Sequence, residues 1–181
     1  MDNTAEKKYT AEQYYAMTGE TNRPMELHNG VIVDLAAPSI KHQRIVGGLY
    51  SRILQFISGK GGGCEPFISP TDVKLDDYTV VQPDVFVVCD KNKIDEKRIN
   101  GAPDLVVEVT SENRNIDLVT KLEMYSRFGV REYWIVDLKF ERVLVYSFES
   151  GDYPMIYSFA DEAPVGIYGG ELSIKISELT A

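Results

Sequence analysis

Apolar and polar positions change period several times along this chain, and each change marks an element. Met25-Glu26-Leu27-His28 and Val31-Ile32-Val33-Asp34-Leu35 are short apolar runs flanking Asn29-Gly30. Both turn residues tolerate positive φ, so the segment predicts a β-hairpin. Before it, Thr10-Ala11-Glu12-Gln13 has the spacing of a capping box and opens a short helix that Gly19 can close. From Ser39 to Ser58, Ile45, Leu49, Ile53, Phe56 and Ile57 recur at helical spacing, and the loop Gly59-Lys60-Gly61-Gly62-Gly63 ends that helix. Extended segments are expected over 64–69, 71–75 and 80–89, with Asp76-Asp77 as a turn. A polar loop over 90–100 leads through Gly101-Ala102-Pro103 into a strand from Leu105 to Val109. A helix over 117–128, stopped by Gly129, and a buried strand over 132–137 follow. Strand, helix, strand in that order predicts a parallel pair with a right-handed crossover. The segments 143–148, 153–159 and 171–176 read as short antiparallel strands, so the fold class is α/β with a mixed sheet.

Two carboxylates interrupt the most apolar strands. Asp84 lies in Gln82-Pro83-Asp84-Val85-Phe86-Val87-Val88 and Glu108 in Pro103-Asp104-Leu105-Val106-Val107-Glu108-Val109. A carboxylate among Leu and Val loses hydration, which requires a cation, a hydrogen-bond network or a raised pKa. Alternation puts Leu105, Val107 and Val109 on one face and Val106, Glu108 and Thr110 on the other. In the following helix Leu118, Lys121, Leu122 and Tyr125 fall three and four apart, so Lys121 is a cation on the stripe that faces the sheet. Crossover geometry then brings an ammonium near both carboxylates, although Asp117 offers it an intrahelical partner.

Composition narrows the function classes. At 181 residues and 44% hydrophobic content the chain suffices for one compact domain, 1–181. No apolar run approaches the ~18 residues of a membrane span, so a soluble, cytoplasmic protein is expected. Cys64 and Cys89 lack metal-ligand spacing, and reduced thiols are the default expectation, with a disulfide as the alternative. A net charge of -9 argues against a protein that grips nucleic acid with a general basic surface. It leaves room for a nuclease, because a bound cation reverses the sign at an acidic site.

Asp84, Glu108 and a following lysine resemble the PD-(D/E)xK nuclease superfamily. The wider pattern is similar to its bacterial branch of restriction endonucleases, the Uma family. The matching pieces are Met25-Glu26-Leu27-His28-Asn29-Gly30, His42 opening the long helix, Gln82-Pro83-Asp84-Val85, the run from Ala102 to Ser111, Lys121 with Tyr125, and the run from Gly129 to Asp137. This resemblance implies a restriction-endonuclease-like core with flanking helices and additional antiparallel strands. It also implies a divalent metal, Mg2+ with Mn2+ as substitute, held by Asp84, Glu108 and the Val109 carbonyl. Asp84, Glu108, Lys121, Glu26 and His42 become the candidate catalytic set, DNA the substrate and a homodimer a possible assembly, with Tyr146, Tyr153, Tyr157 and Tyr168 as a contact surface. In the superfamily the lysine usually stands two residues after the glutamate, where this chain has Thr110; the resemblance implies its migration to Lys121.

Each residue also has a plainer explanation. Asp84 and Glu108 could form a buried network with Lys121 or backbone donors, Glu26 could salt-bridge beside the hairpin, and His42 could be a capping residue. Asp104 reads as a loop cap, His28 as structural, and Tyr125 and Trp134 as packing. The glycine loop lacks the Gly-Lys-Ser/Thr ending of a nucleotide-binding loop. A non-catalytic module with the same fold is therefore the main alternative. A two-carboxylate glycosidase is weaker, because it leaves an inward lysine unexplained.

Overall fold

The computed structural model describes residues 7–19, 24–110, 115–151 and 153–180, and of residues 115–119 the backbone alone. In chain order the elements are α1 (Ala11–Thr18), β1 (Met25–His28), β2 (Val31–Asp34), α2 (Ile40–Lys60), β3 (Glu65–Ile68), β4 (Val73–Asp76), β5 (Thr79–Val81), β6 (Val85–Val88) and β7 (Ile99–Asn100). The second half adds β8 (Leu105–Thr110), α3 (Asn115–Phe128), β9 (Glu132–Asp137), β10 (Arg142–Ser147), β11 (Met155–Ser158), β12 (Ala163–Pro164) and β13 (Ser173–Ile174).

Local chemistry explains the first elements. The Thr10 side chain accepts from the Gln13 amide while the Gln13 side chain accepts from the Thr10 amide, closing the capping box. Asn29 and Gly30 both take positive φ, 50° and 88°, at the β1–β2 turn. Ser39 caps α2 through the His42 amide, and Gly61, in the left-handed conformation, ends that helix two residues later than its apolar period suggests.

Two mixed sheets carry the fold: five strands in the order β2-β1-β5-β4-β7, and six in the order β11-β10-β9-β8-β6-β3. The larger one is covered on both faces. Ile45, Leu49 and Ile53 of α2 pack with Val85, Val87, Leu105 and Val107 on one side. Met124 and Tyr125 of α3 pack with Phe86, Val106 and Tyr133 on the other. Period-2 alternation in β6 and β8 feeds both cores, which is why these strands are buried along their whole length. Strands β8 and β9 are parallel and joined through α3, as the order of elements predicts.

Several expectations are corrected. The apolar run 80–89 is two strands in different sheets, because Pro83 lacks the N–H that a continuous ladder requires. Asp84 therefore sits at the crossing between sheets, one residue before β6, and not in mid-strand. The segment 90–100 holds a short 3-10 turn and β7, whose two residues pair parallel with β4. Cys64 and Cys89 form a disulfide, not two reduced thiols. They flank the antiparallel β3–β6 pair, in which Glu65 opposes Val88, so the sheet register brings together residues that lie far apart in the chain. The segment 171–176 is mostly irregular, with β13 alone pairing to β12. Among the described residues no helix is long and apolar enough to cross a membrane.

Candidate functional site

The two sheets meet at a cleft of about 340 Å3 whose lining includes Glu26, His42, Asp84, Glu108, Val109 and Lys121. Each arrives by a different route. Glu26 comes from β1 of the smaller sheet, and Asp84 from the turn that Pro83 forces. Glu108 and Val109 come from β8, Lys121 from the inward stripe of α3, and His42 from the first turn of α2.

Lys121 joins the acids. Its Nζ lies 2.9 Å from Glu108 Oε1 and 3.2 and 3.1 Å from the two oxygens of Glu26. All three residues are buried, with exposures of 4% for Lys121, 7% for Glu108 and 0% for Glu26, so these are charge-assisted bonds in a poorly hydrated place. Glu26 also accepts from the Gln82 amide at 2.8 Å and lies 2.7 Å from His28 Nε2. Glu108 Oε1 takes a second bond, from the Tyr125 hydroxyl at 2.8 Å. Asp117, the other partner considered for Lys121, has its side chain outside the described residues.

The two carboxylates beside Lys121 are shifted in opposite directions. Burial raises the pKa of Glu26, but the Lys121 ammonium, His28 and the Gln82 amide outweigh it and bring the group down to about 2. Burial also raises Glu108. Lys121 opposes that effect only in part, since Asp84 and Glu26 add repulsion, and the group is pushed up to about 7. One ammonium thus compensates one carboxylate, and the better hydrogen-bonded acid holds it. Tyr125 is raised well above its usual range by burial and by Glu108, which keeps its hydroxyl a donor.

Among the described residues Asp84 is held through one carboxylate oxygen. Its Oδ2 accepts from the Val109 amide at 2.8 Å and from His42 Nε2 at 3.0 Å. An ionised carboxylate only accepts, so the Nε2-H of His42 is the donor. Among the described residues neither Asp84 Oδ1 nor Glu108 Oε2 receives a hydrogen bond. These two oxygens border the same cleft and are chemically suited to a hard divalent cation. Among the described residues no group of three or more His, Cys, Asp or Glu side chains is arranged to hold a metal. Two carboxylates and a set of waters form the kind of partial shell that Mg2+ accepts.

Sequence reasoning did not anticipate three participants. His28 is buried against Glu26; residues i and i+2 share a strand face, so the Glu-x-His spacing carries that signal. Tyr125 follows Lys121 by four residues and reaches the same Glu108 oxygen, a contact the helical stripe implies. The Gln82 amide bond to Glu26 has no sequence signal, because it depends on how the sheets meet. Asp104, expected to cap the loop before its strand, instead bonds across the sheet, its carboxylate accepting from the Cys89 amide and from Arg131. Trp134 is core, with its indole N–H bonded to Glu132. Thr110, in the usual lysine place, is buried and donates to the Val136 carbonyl at 3.4 Å.

A family model described as Uma2, putative restriction endonuclease, matches residues 11–165. Among solved structures the fold is shared with a putative nuclease of the DUF820 family from Anabaena variabilis. The two are 22% identical, with a TM-score of 0.78 over 95% of this chain and 97% of that one. No protein with a curated description matches.

Proposed function

Because this chain belongs to the Uma2 family of putative restriction endonucleases, we propose that it is a metal-dependent endonuclease acting on DNA, working as one domain over residues 1–181. The observation that carries this is the pair of oxygens, Asp84 Oδ1 and Glu108 Oε2, that receive no hydrogen bond from the described residues and border a cleft where burial, Asp84 and Glu26 push Glu108 up against the pull of Lys121. Asp84 and Glu108 would hold Mg2+, with the Val109 carbonyl beside them. The cation, when bound, supplies Lewis acidity toward a phosphodiester and makes an attacking water more acidic.

The chain's own residues do the rest. Glu26 fixes the Lys121 ammonium against Glu108, aiming a positive donor at the edge of the cleft where negative charge builds up on the phosphoryl oxygens. Tyr125 locks the Glu108 rotamer. His42 holds Asp84 in one orientation and is a positioning residue. A His42→Ala change is expected to shift the midpoint of a Mn2+ titration upward about 10–100-fold, the usual cost of losing such a partner. An unmoved midpoint would make His42 a capping residue only.

A second proposal, a binding module that keeps the fold without chemistry, draws on Thr110 in the usual lysine place and on Lys121 already tied to two acids. Thermal melting separates the two. The nuclease proposal expects Mg2+ or Mn2+ at millimolar concentration to raise the melting temperature, through binding to the native state alone. Protons compete for Glu108 up to about pH 7, so that shift should be larger at pH 8 than at pH 5.5. No shift at either pH, together with no cleavage of DNA, favours the binding module.

A homodimer belongs to the same proposal; of the four tyrosines expected at its surface Tyr153 is exposed and Tyr146, Tyr157 and Tyr168 are half-buried, and Met155 and Ile156 of β11, the last strand of the larger sheet, are exposed beside Tyr153. The disulfide weighs against the cytoplasmic setting expected from the sequence.

A further inference from the structure

We infer that the Cys64–Cys89 bond is a thiol–disulfide exchange site, entered at Cys64 by a dithiol reductant, and that its redox state sets how firmly the candidate metal cleft holds Asp84. The effect on the cleft rests on the nuclease proposal; the exchange itself does not. The first observation is access. Both cysteines are half-buried, and Cys64 lines an open cavity of about 210 Å3 together with Phe56, Lys60, Gly62, Tyr168 and Glu171. Lys60, Gly62 and Glu171 are exposed, so the cavity gives a thiolate a path from solvent to Cys64. Cys89 does not line it. Lys60 pairs with Glu171, which leaves the opening without net charge to repel an anionic attacker. In the exchange one thiolate of the dithiol attacks Cys64 Sγ and forms a mixed disulfide, while the Cys64–Cys89 bond breaks and its electron pair leaves on Cys89 Sγ. The second thiolate of the dithiol then attacks the first sulfur of the same molecule and releases Cys64. Two electrons and two protons have passed to the cysteines, and the dithiol departs as a cyclic disulfide.

The second observation is position. The two cysteines continue the antiparallel β3–β6 ladder by one pair beyond Glu65 and Val88. Among the described residues β3 is the last strand of the larger sheet and pairs with β6 alone, so the bond staples an edge strand at one end. At the other end the Ser69 amide donates to the Asp84 carbonyl at 3.1 Å, and Ser69 and Pro70 line the cleft beside Asp84 and Glu108. Between these ends lie four residues, Glu65 exposed and the other three half-buried. Little burial holds such a strand once its staple opens, and the backbone that it fixes at Asp84 loosens with it. The third observation is the conflict between bond and substrate. Where thiol buffers keep cysteines reduced, as they do around most intracellular DNA, disulfides are usually transient and catalytic or redox-sensing. A bond that exchanges is compatible with a DNA substrate there.

The test uses the full chain, with dithiothreitol as the dithiol and glutathione as a single-thiol probe. Dithiothreitol should reduce the bond without denaturant, counted by maleimide trapping and mass spectrometry. Glutathione should leave its adduct on Cys64, with Cys89 trapped by maleimide, as located by peptide mapping. The reduced protein should melt at least ~5 °C lower. Its Mn2+ titration midpoint, read by melting, should rise about tenfold and return on reoxidation. Gly62→Trp, whose added Cβ meets nothing within 4 Å, should narrow the opening and slow reduction about tenfold with the Mn2+ midpoint unchanged. Cys64→Ser combined with Cys89→Ser should match the reduced protein and no longer respond to dithiothreitol. Reduction only after unfolding overturns the inference, and so does an adduct on Cys89. Equal Mn2+ midpoints in the oxidised and reduced protein also overturn it and leave the metal site standing. If Mn2+ stabilises neither form, the nuclease proposal falls, and the coupling to the cleft falls with it.

Discussion

Lys121→Met is expected to lower the unfolding free energy by about 3 to 5 kcal/mol, the usual cost of removing one partner from a buried ion pair. The methionine replaces the aliphatic stem, so little of that loss is packing. What it removes is the only described cation between Glu26 and Glu108, two acids buried beside each other. Glu26 keeps His28 and the Gln82 amide. Among the described residues Glu108 keeps Tyr125 alone, and it will take up a proton. The effect therefore depends on pH: at pH 8 the variant must hold that proton against solution, and at pH 5 the cost shrinks. Urea unfolding at both values measures it. A loss below ~1 kcal/mol at pH 8 would mean that Lys121 contributes little to the fold and would weaken the electrostatic account of the site.

How much of this was legible in the sequence depends on the range of the interaction. The Asn29-Gly30 turn, the Thr10 capping box and the inward stripe of α3 are local, and a period of 2 or 3.6 reads them directly. Alternation in β8 correctly divides Leu105, Val107 and Val109 from Val106 and Glu108, since the two groups face different cores. The run from Val80 to Cys89 fails because hydrophobicity is continuous across it. Pro83 was the one sign that the chain leaves one sheet for another. That missed break matters, because it is what sets Asp84 at the crossing of the sheets.

The Cys64–Cys89 bond and the burial of Glu26 were out of reach for a related reason. Both depend on which strands become neighbours, and no local pattern encodes strand order. For Glu26 the consequence is electrostatic. A sequence can place Lys121 near an acid, but whether it serves one carboxylate or two follows from β1 and β8, strands of different sheets, both bringing a glutamate to the same ammonium. The residual proton affinity of Glu108 is set by that count, and so is the capacity of the site for a cation.

The count also changes what Glu108→Gln will do. Had Lys121 relied on Glu108 alone, the substitution would strand a buried ammonium and unfold the protein. Glu26 remains as its partner, and the introduced glutamine can still accept from Lys121 and Tyr125 through its carbonyl oxygen. Wild-type Glu108 has a folded pKa raised from 4.5 to about 7. The stability it contributes is therefore fully present below about pH 4.5 and is lost as the pH rises through about 7. An amide at this position carries no such liability, and the variant without metal should be as stable as wild type at pH 5 and more stable at pH 8, by on the order of 1 to 2 kcal/mol. Its stability should also be flatter across that interval. Activity moves the other way. A neutral amide is a poor ligand for Mg2+, so cleavage should fall by more than the ~10–100-fold typical of an outer partner, and the Mn2+-induced melting shift should vanish. Melting curves at pH 5 and 8, with and without Mn2+, read all of this in one set. A variant that keeps the full metal shift and cuts DNA as wild type does would remove Glu108 from the metal site and leave it a structural acid.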